Sequence, residues 1–184
     1  MTNRLISQTN FPVTVDEAKV RLRIDGTADD VDLAMMIQAA TQLATTMTRR
    51  SIATDTRQIK LDAFEDEISL DYPPIVAVQS ITYLDENGQT QTLAGSAYVV
   101  DTASEPGRIV PAFGTTWPKT RDTINAVTVN YTAGFGAVCP AAIKQFILLQ
   151  VGHMYRTREA ASDKPMQAVP FSEHLLDQYR MLEV

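Results

Sequence analysis

Between Asp29 and Arg50 the apolar residues Leu33, Met36, Ile37, Ala40, Leu43, Ala44 and Met47 recur at the i, i+3, i+4, i+7 spacing of one helical face. Asp29 or Asp30 starts this helix and Arg49 and Arg50 close it, each sign standing at the helix end whose partial charge it complements. A shorter helix precedes it. Thr14, followed three residues later by Glu17, is a capping-box pair. Val15, Ala18, Val20 and Leu22 supply its apolar contacts as far as about Arg23, and the Asp25-Gly26 turn signal ends it.

From about Thr54 to Thr132 the period changes. Gln58–Leu61, Glu67–Leu70, Val78–Leu84, Thr90–Leu93, Tyr98–Asp101, Arg108–Val110 and Ala126–Tyr131 alternate or are β-branched, and turn residues separate them, which predicts short strands. Asn87-Gly88 marks a hairpin between two of them, because both residues tolerate positive φ. Pro73-Pro74 and Glu105-Pro106-Gly107 punctuate the sheet.

Helix returns at Pro140, well placed in a first turn. Ala141 to about Arg158 carries Ile143, Phe146, Ile147, Leu148, Leu149, Val151, Met154 and Tyr155. A helix this apolar is either buried centrally or packed in an oligomer. A polar stretch, Glu159 to Pro170, leads to a final short helix capped by Ser172 and carrying Leu175, Leu176, Tyr179 and Leu182. Helices, then strands, then helices predict an α+β fold: a small helical bundle with an inserted antiparallel β-rich region and a C-terminal helical tail. The expected divisions are 1–53 for the N-terminal helices of the bundle and 54–132 for the β-rich insertion. The central helix takes 133–158, and the C-terminal loop and helix take 159–184.

Composition narrows the function classes. The chain's 184 residues suffice for one domain, or for one domain carrying an insertion. Its apolar content is too high for a disordered chain. A net charge of −6 argues against a surface that grips nucleic acid, since that binding draws on basic residues and counterion release. One cysteine, Cys139, forms no intrachain disulfide. The N-terminus lacks the apolar run of a signal peptide, and Ile143–Val151 is too short to span a bilayer, so a cytosolic protein without membrane contact is expected.

The residues offer little chemistry. Only His153 and His174 could serve a Ser or Cys nucleophile, and no nucleophile elbow accompanies them. Cys139 reads as a small buried thiol. One cysteine and two distant histidines do not make a zinc site, and Asp25, Asp29, Asp30 and Asp32 lack calcium-loop spacing. Thr132-Ala133-Gly134-Phe135-Gly136 sits where phosphate-cradling loops sit, but it lacks both the third glycine and a Gly-Lys-Ser/Thr, and it reads as a strand-to-helix joint. Asp62, Glu65, Asp66 and Glu67 read as a solvated loop, and Trp117 as a partner anchor or as local packing. The last helix is too short to be stable alone. Its leucines bury either on its own body or on a partner, and the pattern leaves both open.

Phe11-Pro12-Val13-Thr14-Val15-Asp16-Glu17-Ala18-Lys19-Val20-Arg21-Leu22-Arg23-Ile24-Asp25 resembles the opening of the head–tail connector (adaptor) family of long-tailed phages, prophages and gene transfer agents. Later segments resemble the same family in the same order. They are Ala97–Asp101 with Pro106–Ile109, Trp117-Pro118, Asn125–Val129, Tyr131–Gly136, Pro140–Gln145, and the Leu148–Tyr155 helix ending near Arg158-Glu159. The resemblance spans roughly Pro12 to Arg180.

It implies a bundle with a β insertion, assembled as a ring, typically of twelve subunits, beneath the portal protein and above a stopper or tail-completion protein. Double-stranded DNA would pass through the lumen without sequence-specific binding. The implied protein is a structural component of the virion neck, present in host cytoplasm before assembly, often as a monomer, and neither an enzyme nor a cofactor carrier. The family's C-terminal segment grips the portal, a role that segment position carries onto Phe171, Leu175, Leu176 and Tyr179. Another neck component, such as a tail-completion protein, is one alternative. A small-ligand binding protein or enzyme of phage origin is another.

Overall fold

The computed structural model describes residues 2–157 and 170–181. The chain is an α+β protein, with β1 (Thr2–Thr9), α1 (Val15–Leu22), α2 (Asp30–Thr48), β2 (Thr54–Leu61), β3 (Ile68–Leu70), β4 (Ile75–Leu84), β5 (Thr90–Thr92), β6 (Tyr98–Asp101), β7 (Gly107–Pro111), β8 (Val127–Ala133), α3 (Ala141–Arg156) and α4 (Pro170–His174). Two units result. One gathers β1 with Thr54–Gly134, and the other gathers Asn10–Ala53 with the described residues from Phe135 onward.

The β unit holds two antiparallel sheets, β1-β2-β8-β4-β5 and β3-β7-β6. Alternation along β8 buries Val127, Val129, Tyr131 and Ala133, and β2 turns Ile59 and Leu61 to the same side. Ile68, Leu70 and Ile109 of the smaller sheet complete this core. Each buried branched side chain contributes about 1.5–3 kcal/mol. Register shifts at Val76 and Gln79 bend β4 where it pairs with β8. The Asn87-Gly88 hairpin forms between β4 and β5. The Asp85 carboxylate accepts from the amides of Asn87 and Gln89, and Gly88 takes a φ of 80°.

β1 was not legible as a strand. Its eight residues are mostly polar, with Leu5 and Ile6 adjacent rather than alternating. Side chains that end in a polar cluster help to hold it. Gln8 donates to the buried Asp55 carboxylate at 2.9 Å, and Asn3 donates to the Tyr131 hydroxyl at 2.9 Å. That hydroxyl donates in turn to the Asp71 carbonyl at 2.7 Å. Burial pushes the Tyr131 phenol up to about 12. Arg57 pairs with Asp55 at 3.1 Å and lies 3.6 Å over the Tyr72 ring, so both buried charges are answered.

In the helical unit the capping box is present: Glu17 N donates to Thr14 Oγ1 at 3.1 Å, and Thr14 N donates to Glu17 Oε2 at 2.8 Å. α2 buries Leu33, Ile37, Ala40 and Ala44, joined by Thr41, Thr45 and Thr48. Leu43, assigned to that stripe by spacing, is exposed instead, and so is Val20 of α1. Thr41 and Thr48 are tolerated inward because they return their hydroxyls to the Ile37 and Ala44 carbonyls at 2.7 Å, leaving their methyls for the core. Asp29 and Asp30 do more than face the helix dipole. The Tyr155 hydroxyl donates to Asp29 at 2.8 Å, and Lys19 pairs with Asp30 at 2.9 Å.

Gly107 sits where the β core has no room. A Cβ there would lie 2.6 Å from Ile75 Cγ1 and 3.1 Å from the Asp101 carbonyl. We expect Gly107→Ala to cost about 1–3 kcal/mol in denaturant unfolding, as overpacking does; an unchanged midpoint would show that the sheets separate freely.

Asp101 anchors the β6–β7 turn. It accepts from the Ser104 hydroxyl at 2.7 Å, the Ser104 and Ala103 amides at 3.1 and 2.9 Å, and Arg108 Nε at 3.0 Å. These bonds hold its carboxyl well below the usual carboxylate range. A depressed folded value means that the contribution to stability is complete at neutral pH and fades as pH falls below the unfolded 3.8. In a carboxyl-resolved NMR titration Asp101 should keep its charge well below 3.8, and an ordinary midpoint there would rule the anchoring out.

Candidate partner interface

The C-terminal segment rests on the helical unit. Leu176 is fully buried among Ile143, Phe146, Ile147 and their neighbours, and Leu175 and Tyr179 lie half-buried against the same cluster. Two hydrogen bonds, one from a side chain and one from the backbone, fix the chain beyond α4: Arg50 Nε donates to the Tyr179 carbonyl at 2.7 Å, and the Met181 amide donates to the Thr48 carbonyl at 2.9 Å. Arg49 and Arg50 therefore act locally as well as through charge. Arg49 takes the left-handed conformation that caps α2, and Arg50 reaches the terminal segment.

Ser172, expected as a cap, lies inside α4, where it is buried and accepts from Gln150 Nε2 at 3.2 Å. The expected single helix is α4 followed by a tight turn and a 3₁₀ turn at Asp177–Tyr179. Of the residues expected to meet a portal, Leu175, Leu176 and Tyr179 thus share one cluster on this chain's own unit. The side chain of Phe171 lies outside the described residues, as do Leu182 and the polar stretch 159–169.

The remaining candidates resolve individually. Cys139 is buried, and burial pushes its thiol up to about 12, so thiolate chemistry at neutral pH is closed to it. His153 is half-buried on α3, and His174 is exposed and pairs with Asp177 at 2.9 Å. Among the described residues no three His, Cys, Asp or Glu side chains gather as metal ligands, and no helix is long and apolar enough to cross a membrane. The amides of the Gly134 joint are already committed: Gly134 donates to Pro74, Phe135 to Ser51 and Gly136 to Ile52 carbonyls. A phosphate would find no open donors there. Trp117 stacks on Phe64 at 4.8 Å and 9°, which is local packing rather than an anchor held out for a partner.

Two surface features escaped the sequence reading. Phe113 is fully exposed at the tip of a turn in which Thr115 N and Oγ1 both donate to the Ala112 carbonyl, Gly114 takes a φ of 75°, and the Ala112 amide is tied to Ala97. The second is a line of exposed apolar residues at four-residue spacing on α2: Val31, Met35, Ala39 and Leu43. Neither has a local partner to hide it, and periodicity alone assigns apolar residues to the core.

A family model described as head completion protein matches residues 13–172. No curated protein matches the sequence. The fold is similar to a chain in the neck of an empty GTA particle computed with C6 symmetry, at 23% identity and a TM-score of 0.80, covering 100% of this chain and 97% of that one. A chain in the virion of a native gene transfer agent (GTA) particle matches at 22% identity and 0.78, over the same shares of the two chains. A chain in the neck of a native GTA particle computed with C12 symmetry matches at 24% and 0.76, again over 100% and 97%. At these identities the likeness is one of fold.

Burial separates two apolar residues that composition treats alike. Leu176→Ala should cost about 2–5 kcal/mol by chemical denaturation, because it opens a cavity in the core. Phe113→Ala should change stability by no more than about 0.5 kcal/mol. Equal effects would mean that the terminal segment does not pack as described.

Proposed function

Because the chain belongs to the head completion protein family, we propose that it is a structural head–tail connector (adaptor) subunit of a phage or gene transfer agent neck. It forms a ring beneath the portal, joins capsid to tail and lines part of the DNA channel. The observation that carries this reading is the whole-length agreement in fold with chains of GTA necks. The C12 symmetry of one of those necks supports twelve copies. The net charge of −6 suits a wall past which DNA slides, since like charges repel and no counterions are released by sticking. The role is structural rather than catalytic, in keeping with a closed thiol and with His174 paired to Asp177 rather than to a nucleophile.

The upper partner is the portal and the lower partner a stopper or tail-completion protein. In this reading the terminal segment faces the portal. Leu176 is its anchor on its own unit, and Leu175 and Tyr179, half-buried, stand at the edge of the contact with Phe171 beside them in sequence. Removing everything after Arg158 would expose the core around Leu176, so that deletion tests folding as well as docking.

Particles assembled without this chain should accumulate as separate heads and tails, with heads that lose their DNA. In complementation, the chain should co-purify with portal-bearing heads. Normally joined, genome-filled particles in its absence would overturn the proposal, and retention on isolated tails would favour the tail-completion alternative.

A further inference from the structure

We propose that neighbouring copies meet through the exposed ridge of α2 on one subunit and the groove between α1 and α3 on the next. This rests on the connector reading above and adds to it the surfaces that join the copies. α2 buries one face, and its opposite face carries the ridge, with Val31 75% and Met35 57% exposed. Apolar residues at four-residue spacing are the rows that interdigitate when helices pack.

The groove runs as two adjoining recesses of about 340 and 440 Å³ that share Arg21 and Leu148. Leu148, Leu149 and Gly152 form part of its wall, and Val20, 80% exposed, stands at its edge. Gly152 is buried in that wall with Leu22 packed against it, 3.5 Å from where a Cβ would stand. Arg21, Arg23 and Arg156 rim the first recess and Asp16 and Glu17 line the second, whereas α2 begins with Asp30, itself paired with Lys19, and Asp32 on either side of Val31. The acidic head of the ridge therefore complements the basic recess and not the acidic one, which gives the contact a direction and opposes the two-fold pairing of like surfaces.

Ridge and groove are different surfaces of the same helical unit. A contact between them is heterologous and propagates around a ring, whereas a ridge-to-ridge contact would stop at a dimer. The occupant is thus a second copy of this chain, used by every subunit in turn.

The test is cross-linking with a short bismaleimide on full-length protein, both concentrated and bound to tail-less heads. Val20→Cys and Met35→Cys replace exposed side chains, and buried Cys139 stays unlabelled. The double variant should give a ladder of covalent oligomers, each single variant alone should give none, and a mixture of the two singles should stop at dimers. Met35→Asp should keep the wild-type melting point and weaken association at least about tenfold. Dimers from Met35→Cys alone would show a two-fold contact and overturn the proposal. Rings seen by electron microscopy without a ladder would overturn these surfaces while leaving the connector reading intact. Failure to form rings even on heads would remove that reading and this one together.

Discussion

Burial of α3 organises the helical unit. Ile143, Phe146, Ile147 and Val151 are withdrawn from water, and α1, α2 and the terminal segment all pack on this one helix. At about 1.5–3 kcal/mol for each large apolar side chain, that common surface outweighs every polar contact in the unit. The polar contacts then select geometry. The Tyr155–Asp29 bond ties the last turns of α3 to the start of α2, and the Arg50 and Met181 bonds tie the far end of α2 to the chain beyond α4. Apolar burial supplies the cohesion and a few directed bonds supply the register.

The β unit inverts that division at one place. Its core is a conventional meeting of two alternating sheets, but β1 is held by ladder bonds and by Gln8 and Asn3 reaching a buried polar cluster. Such a strand carries no periodic apolar signal, and the pattern of residues 1–53 accordingly suggested only helices. Where local chemistry decides, the sequence was readable. The Thr14–Glu17 box and the Asn87-Gly88 hairpin follow from side chains acting within a turn of themselves. Where tertiary partners decide, it was not. Nothing local tells Thr41 to face inward and Leu43 outward, because the choice depends on what α3 presents.

The candidate interface shows the same limit more sharply. Leu175, Leu176 and Tyr179 were legible as an apolar cluster needing a cover, and the cover is their own helical unit. A short helix with leucines on one side carries no mark of whether its partner lies in the same chain. Phe113 is the converse. A phenylalanine followed by glycine between a strand and a long loop is the composition of a displayed turn, yet exposure is visible only once the hydrogen bonds at Ala112 and Thr115 are in place.

A ring subunit must satisfy opposing demands: enough apolar surface to bind its neighbours, and little enough to remain soluble before it meets them. A broad patch meets the first and fails the second. The exposed apolar residues of α2 lie instead in single file, separated along the helix by polar or small positions such as Asp32, Gln38 and Gln42. One such contact is weak. Closure of a ring gives each copy two of them, and binding of several copies to a common platform raises their effective concentration without any new contact. Under that arrangement the free subunit is stable through α3 and the buried Leu176, and assembly draws on a separate surface. The ridge residues Val31, Met35, Ala39 and Leu43 can then be altered without touching the core, whereas Leu148 on the groove side serves fold and ring together.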